Sequence, residues 1–391
     1  MLDTLLELYD PKEPILNILG AWRLRPQRAV YFHHGLREED EALRQMQETF
    51  RKLGVSVRVT LEKLDGMDCQ ALSRWVEHHE GELGSWGIEI AGGSDMMLFM
   101  AGVAHARWGC PVYARRPGNR YFALPEGKLI EAEHPGFTVE QRLCLTGGSL
   151  ERYGRLKPED LTPRLITLAG MLLDMQKEHP RLWTQQTRCI QGAVSRMDKK
   201  SLTLILTQQD CRAHKFSTAK GHLFRQMKRA GAFTEVKITP EAIELTFPSA
   251  LIRDCLCDYG VWLEIYMYGV MKASGVFDDV RVSAVVRWEG EKAVNELDVA
   301  ATAGMGLVVC SCKTTTPDME ALAELNVIAE GFGSSYAVSL LACMPKGGDR
   351  MEGPAARGEE LGIRLLDVRQ YDRESLIAYF TRLGKRLQGL E

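Results

Sequence analysis

Over residues 1–136, short apolar runs alternate with stretches in which apolar positions recur every three to four residues. The runs at 2–9, 28–32, 55–61, 86–90 and 111–114 read as strands. Between them, Asp10-Pro11 opens a helix with Ile15, Leu16, Ile18 and Leu19 on its apolar stripe. Residues 38–53 form an amphipathic helix closed by Gly54, residues 68–79 a third helix, and an apolar helix runs from Asp95 through Ala106. Alternation of this kind predicts a parallel sheet with helices on both faces. Ligands of such sheets sit beyond the carboxyl ends of the strands, here Tyr9-Asp10, His33-His34-Gly35 and Gly92-Gly93-Ser94-Asp95. The Gly-Gly-Ser turn lets backbone amides at a helix start approach a phosphate or ribose. It is not the GxGxxG fingerprint, so no nicotinamide cofactor is expected. His33 and His34 read as hydrogen-bonded loop residues rather than metal ligands.

The pattern changes after residue 136. Residues 161–178 have helical periodicity that Pro180 stops, and 201–208 alternates Leu and Thr as a strand does. A basic helix over 220–230 carries Lys220, Arg225, Lys228 and Arg229, and 235–247 is hairpin-like. Helix plus hairpin suggests a small winged module whose basic helix either touches nucleic acid or forms a solvated face; the second reading is preferred. The remainder gives a helix (258–274), strands at 280–288, 295–299 and 307–313, a helix (319–332), a strand (336–342) and a terminal strand and helix within 359–390. Residues 345–358, rich in Gly, Pro and Arg, are expected to be a mobile surface loop beside the cleft. The expected units are 1–136, a linker or winged module over 137–247, and a compact α/β core over 248–391.

Composition narrows the picture modestly. The 391 residues suit two or three domains, and 45% hydrophobic with 26% charged residues describes a globular chain. A net charge of −3 excludes a chain coated in basic residues, though not local basic patches. Met1 to Tyr9 lacks the basic start of a signal peptide, and no apolar run approaches a membrane span, so a cytoplasmic, membrane-free protein is expected. Its ten cysteines are then most simply reduced thiols. The CxC pairs Cys255/Cys257 and Cys310/Cys312 supply too few ligands for a structural zinc site, and Cys310 and Cys312 are expected to be buried.

The chemistry concentrates in Asn295 to Thr314. On strands, Glu296 and Asp298 share one side, Ser311 and Lys313 share one side, and Leu297 with Val299 points the other way. If the strands pair through the Gly304–Gly306 turn, two carboxylates and an ammonium converge beside an apolar layer. That set suits a phosphodiesterase using Mg²⁺ or Mn²⁺: acids hold the ion, and the lysine orients water or steadies charge growing on phosphate. A surface strand pair with an ordinary salt bridge would have the same pattern.

The blocks Trp262-Leu263-Glu264, Asn295-Glu296-Leu297-Asp298-Val299 and Ser311-Cys312-Lys313-Thr314 resemble the restriction-endonuclease-like PD-(D/E)xK nucleases. More closely, they resemble the subset fused to a CRISPR-associated Rossmann-fold (CARF) sensor, with which the N-terminal unit and its Gly92-Gly93-Ser94 turn agree. The resemblance implies a Rossmann-like sensor sheet and a C-terminal restriction-endonuclease-like α/β nuclease domain, on either side of the linker or winged module. It implies a homodimer whose sensors bind a cyclic oligoadenylate, cyclic tetra-adenylate above all. That binding would switch on Mn²⁺- or Mg²⁺-dependent cleavage of single-stranded RNA or DNA in type III CRISPR antiviral defence. By the same analogy Glu264, Glu296, Asp298, Lys313 and Ser311 form the nuclease site, with Asp298, Glu296 and Glu264 on the metal. Tyr9, Asp10, His33, His34, Gly92, Gly93, Ser94 and Asp95 lie around the activator. Ser311 stands where the motif has an acid, so Glu296 and Glu264 must supply the missing charge. Two rival expectations are a ligand-sensing, DNA-binding regulator with an inert nuclease fold, and a DNA nuclease needing no activator.

Overall fold

The computed structural model describes residues 2–36, 38–64, 70–92, 95–116, 120–130, 136–198, 200–217, 221–258, 260–288, 293–332, 336–345 and 351–390. The apolar runs of the first unit become β1 (Thr4–Leu8), β2 (Arg28–His33), β3 (Arg58–Lys63), β4 (Trp86–Glu89) and β5 (Val112–Arg116). These pair in parallel in the order β3-β2-β1-β4-β5. Alternate residues of β1 serve the two faces. Leu5 packs under the helices Leu16–Leu24 and Glu39–Lys52, whereas Leu6 and Leu8 pack under Ala71–Leu83 and Asp95–Trp108. The sheet is therefore doubly wound, as the alternating pattern requires. It is not wholly parallel: β6 (Arg120–Leu124) and β7 (Lys128–Ile130) extend it by antiparallel pairing.

After the capped helix Val139–Cys144, β8 (Gly148–Tyr153) leaves the first unit and joins the far sheet. Pro180 does end the helix Pro163–Glu178, but it also occupies the first turn of the next, Pro180–Val194, where a missing N–H costs nothing. There follow β9 (Thr203–Thr207), the helices Gln208–Ala213 and His222–Ala230, and the hairpin β10 (Glu235–Ile238) and β11 (Ala242–Thr246) in the order β10-β11-β9, a winged arrangement. Lys220 lies outside the described residues.

The last unit contributes β12 (Asp279–Trp288), β13 (Asn295–Ala303), β14 (Gly306–Lys313), β15 (Ala337–Cys343) and β16 (Ile363–Asp367). Its sheet runs β16-β15-β14-β13-β12-β8, parallel among β14–β16 and antiparallel elsewhere. The helices Gly260–Ser274 and Arg373–Leu387 pack on one face and Met319–Gly331 on the other. The loop expected over 345–358 is replaced in part by the helix Glu352–Glu360, whose buried Gly358 lies close against Leu365 of β16. Residues 346–350 lie outside the described residues.

Candidate active site and ligand pocket

The hairpin β13–β14 forms as expected, turning at Gly304 with a φ of 58° that favours glycine. Its pairing ends at Val299↔Cys310, so the strands fork beyond that point. Asp298 sits in the fork and accepts hydrogen bonds from the Cys312 backbone N–H (2.7 Å) and the Ser311 hydroxyl (3.2 Å). Lys313 follows on β14, 4.0 Å from Glu324 of the helix Met319–Gly331. A cleft of about 30 Å³, the size of one small ion or water, is lined by Glu296, Asp298, Ser311, Lys313 and Glu324.

The expected face pattern fails at one point. Val280 and Val282 of β12, with Val299 and Ala301 of β13, pack toward the helix Gly260–Ser274. Ala284, Val286 and Leu297 pack toward Met319–Gly331 instead. Leu297 and Val299 thus serve opposite faces. The physical cause is Ser283, in the left-handed region at φ 46°. It stands across from Asp298, between the pairs Val282↔Val299 and Ala284↔Leu297, so the flip turns both strands together.

The flip brings Asp298 toward Glu264, which the helix Gly260–Ser274 supplies from its otherwise buried surface. Burial, then repulsion from Asp298 and Glu296, pushes the Glu264 carboxyl up to about 8. Burial also raises Asp298, against the opposing pull of the Cys312 N–H and Lys313. The Ser283 hydroxyl donates to Glu264 at 3.4 Å. Glu296, Asp298, Ser311, Lys313 and Glu264 therefore do converge. Pattern reading missed Arg155, paired with Asp258 beside Glu264, as well as Ser283 and Glu324. Cys310 and Cys312 are buried as expected, on the face of the helix Gly260–Ser274.

In the N-terminal sheet the strand order reverses between β1 and β4, where a doubly wound sheet opens its crevice. Tyr9 and Asp10 follow β1, and Gly92 follows β4 so closely that a Cβ there would lie 2.9 Å from the Leu8 carbonyl. Asp10 is already engaged: its carboxylate accepts from the Lys12 and Glu13 amides (2.8 and 3.1 Å), and its backbone N–H donates to Asn17 (2.7 Å). Asp95 opens its helix, while Gly93 and Ser94 lie outside the described residues. His33 is not a loop residue but the buried last residue of β2. Its Nδ1 accepts from the Leu36 amide at 3.1 Å, and burial lowers its pKa. His34 follows it, half-buried. Among the described residues no helix is long and apolar enough to cross a membrane.

Residues 256–371 match the family model of the Card1-like endonuclease domain. No curated protein matches the chain in sequence. Solved structures share the whole fold. VC1899 from Vibrio cholerae has a TM-score of 0.76 at 16% identity, covering 98% of both chains. Can2 from Sulfobacillus thermosulfidooxidans, in complex with cyclic tetra-adenylate, has a TM-score of 0.69 at 16% identity, covering 97% of this chain and 99% of that one. A type III CRISPR defence DNA nuclease activated by cyclic oligoadenylate has a TM-score of 0.51 at 18% identity, covering 93% of this chain and 50% of that one. Residues 256–371 are thus similar to the Card1-like endonuclease domain, and the chain as a whole shares its fold with these solved structures.

Proposed function

We propose that this chain is a cyclic-oligoadenylate-activated, divalent-metal-dependent endonuclease of type III CRISPR defence, acting in the cytoplasm as a homodimer with cyclic tetra-adenylate as activator and single-stranded RNA or DNA as substrate. The observation that carries the reading is the Asp298 fork, where three carboxylates and a lysine meet inside the matched endonuclease region. The activator is supported by the crevice between β1 and β4 and by likeness to Can2, whose structure holds cyclic tetra-adenylate.

Among the described residues, no three His, Cys, Asp or Glu side chains form a ready-made metal cage. Mg²⁺ and Mn²⁺ keep several waters and are commonly held by one or two carboxylates plus substrate phosphate. The donors also fit: Asp298 and Glu264 bind protons too tightly because burial and mutual repulsion go unbalanced, which a cation would relieve. Asp298, with Glu264 and Glu296, would hold it. A bound divalent ion supplies Lewis-acid polarisation of the phosphate and a water of lowered pKa.

The chain's own groups do the rest. Ser311 and the Cys312 amide fix the Asp298 carboxylate, and Ser283 steadies Glu264. Lys313 orients the attacking water and stabilises charge on the phosphate; removing such a group costs roughly 10²–10³ in rate. The test is cleavage of labelled single-stranded RNA, single-stranded DNA and plasmid with Mn²⁺, with and without cyclic tetra-adenylate, by wild type, Asp298→Ala and Lys313→Ala. Activator-dependent cleavage lost in both variants is expected; equal activity in all three would remove the site assignment.

A further inference from the structure

The nuclease sheet is closed by β8, a strand outside the matched endonuclease region and encoded just after the sensor unit. β8 pairs with β12 as far as Tyr153↔Ala284. The next residue, Gly154, donates its N–H to the Ser283 carbonyl at 2.6 Å. A Cβ there would meet the Glu296 carboxylate, so the chain passes directly beside that side chain. The strand thus ends against two groups of the catalytic cluster, and it delivers Arg155 there. The guanidinium pairs with Asp258, which precedes the helix bearing Glu264 and accepts the Gly260 N–H at 3.2 Å. Glu264 and Glu296 both lie within electrostatic reach of Arg155. Arg155 is 48% exposed and Asp258 46%, so the pair opens to solvent beside the acids.

An exposed ion pair adds little to stability. A half-exposed guanidinium just past a strand end, within electrostatic reach of Glu264 and Glu296, is instead placed to grip phosphate. We propose that Arg155 is a substrate-binding residue that forks two non-bridging oxygens of a backbone phosphate, with Asp258 holding it in place while no nucleic acid is bound. The inference rests on the nuclease reading above. Arginine suits the role because its planar fork matches phosphate bidentately and stays charged. No bond is made or broken by it: the guanidinium exchanges a carboxylate partner for a phosphate one. Because β8 follows directly on the helix Val139–Cys144, this grip reaches the site from the N-terminal side of the chain.

Steady-state cleavage of a labelled single strand by wild type, Arg155→Ala, Arg155→Lys and Asp258→Asn, with Mn²⁺ and cyclic tetra-adenylate, tests the proposal. Arg155→Ala should raise KM by roughly 10- to 100-fold with a smaller change in kcat. Arg155→Lys should recover part of the loss. Asp258→Asn should lower KM, because it frees the arginine. Anisotropy of the same strand on Asp298→Asn and on Asp298→Asn/Arg155→Ala reads binding without turnover, and the double variant should bind more weakly by a similar factor. Parallel losses in Arg155→Ala and Asp258→Asn would make the pair merely structural and overturn the proposal, as would equal binding by the two Asp298→Asn proteins. If wild type cleaves nothing, the nuclease reading fails, and the anisotropy comparison still decides the role of Arg155.

Discussion

The two donors to Asp298 are unequal. The Cys312 amide is fixed by the backbone at 2.7 Å, whereas the Ser311 hydroxyl stands at 3.2 Å on a rotatable bond. Ser311→Ala should therefore lower cleavage by about tenfold or less, while Asp298→Ala should cost roughly 10²–10³. Single-turnover rates at saturating Mn²⁺ compare them; a Ser311→Ala loss as deep as that of Asp298→Ala would make the hydroxyl itself part of the metal shell. At this scale, Asp298, Ser311 and Lys313 were legible because two strands joined by a tight turn leave few ways to pair, whereas the flip at Ser283 that turns Asp298 toward Glu264 was not. Arg155 and Asp258 were not, because one follows β8, the other precedes a helix 103 positions later, and no local pattern marks such a meeting.

Among the elements, the alternating strands and amphipathic helices of the first unit followed their patterns, as did the helix–strand–strand order around the site. What failed were elements set by a partner rather than by their own periodicity. The strands β6 and β7 extend the first sheet at its end and β8 forms the edge of the last, and Pro180 reads as a stop when it also begins a helix. The face flip in β12 and β13 depends on one residue, Ser283, whose left-handed backbone costs a side-chain residue roughly 1–2 kcal/mol. Ser283→Ala keeps that strain and removes the bond to Glu264, whereas Ser283→Gly removes both. Glycine gives back part of the gain through its freer unfolded chain, so Ser283→Gly should be more stable than Ser283→Ala by up to about 1 kcal/mol. Urea denaturation of the two variants checks this; a less stable glycine variant would mean the turn is not strained.

Across the whole molecule, the seam between the N-terminal and C-terminal sheets was not readable, because its contacts join residues far apart in the chain. Arg142, 1% exposed and with its pKa lowered to about 10 chiefly by burial, donates to the carbonyls of Met305 (2.9 Å) and Phe332 (3.3 Å). Arg115 of β5 reaches the Tyr336 hydroxyl and lies 5.1 Å from the centre of its ring. Behind Arg115, Glu7 of β1 and Glu89 of β4 face each other in register, both 1% exposed, under a helix that passes close at Gly20. Burial raises Glu89 to about 7; burial, then the Glu89 charge, raises Glu7 well above the usual carboxylate range. The consequence for stability has a definite sign. Between about 4.5 and 7 the folded chain keeps a proton at Glu89 that the unfolded chain gives up, so stability falls as pH rises through that window, and Glu7 extends the fall upward. Below that window both states are protonated and the dependence ends. Glu89→Gln removes one of the two buried charges at no change in shape, and it should shrink the drop in Tm between pH 5 and pH 8 by roughly 5 °C. Thermal unfolding at the two pH values decides it. Parallel curves for wild type and Glu89→Gln would mean that these carboxyls ionise as freely inside the sheet as in water, and that the polar core beneath the seam carries no electrostatic load.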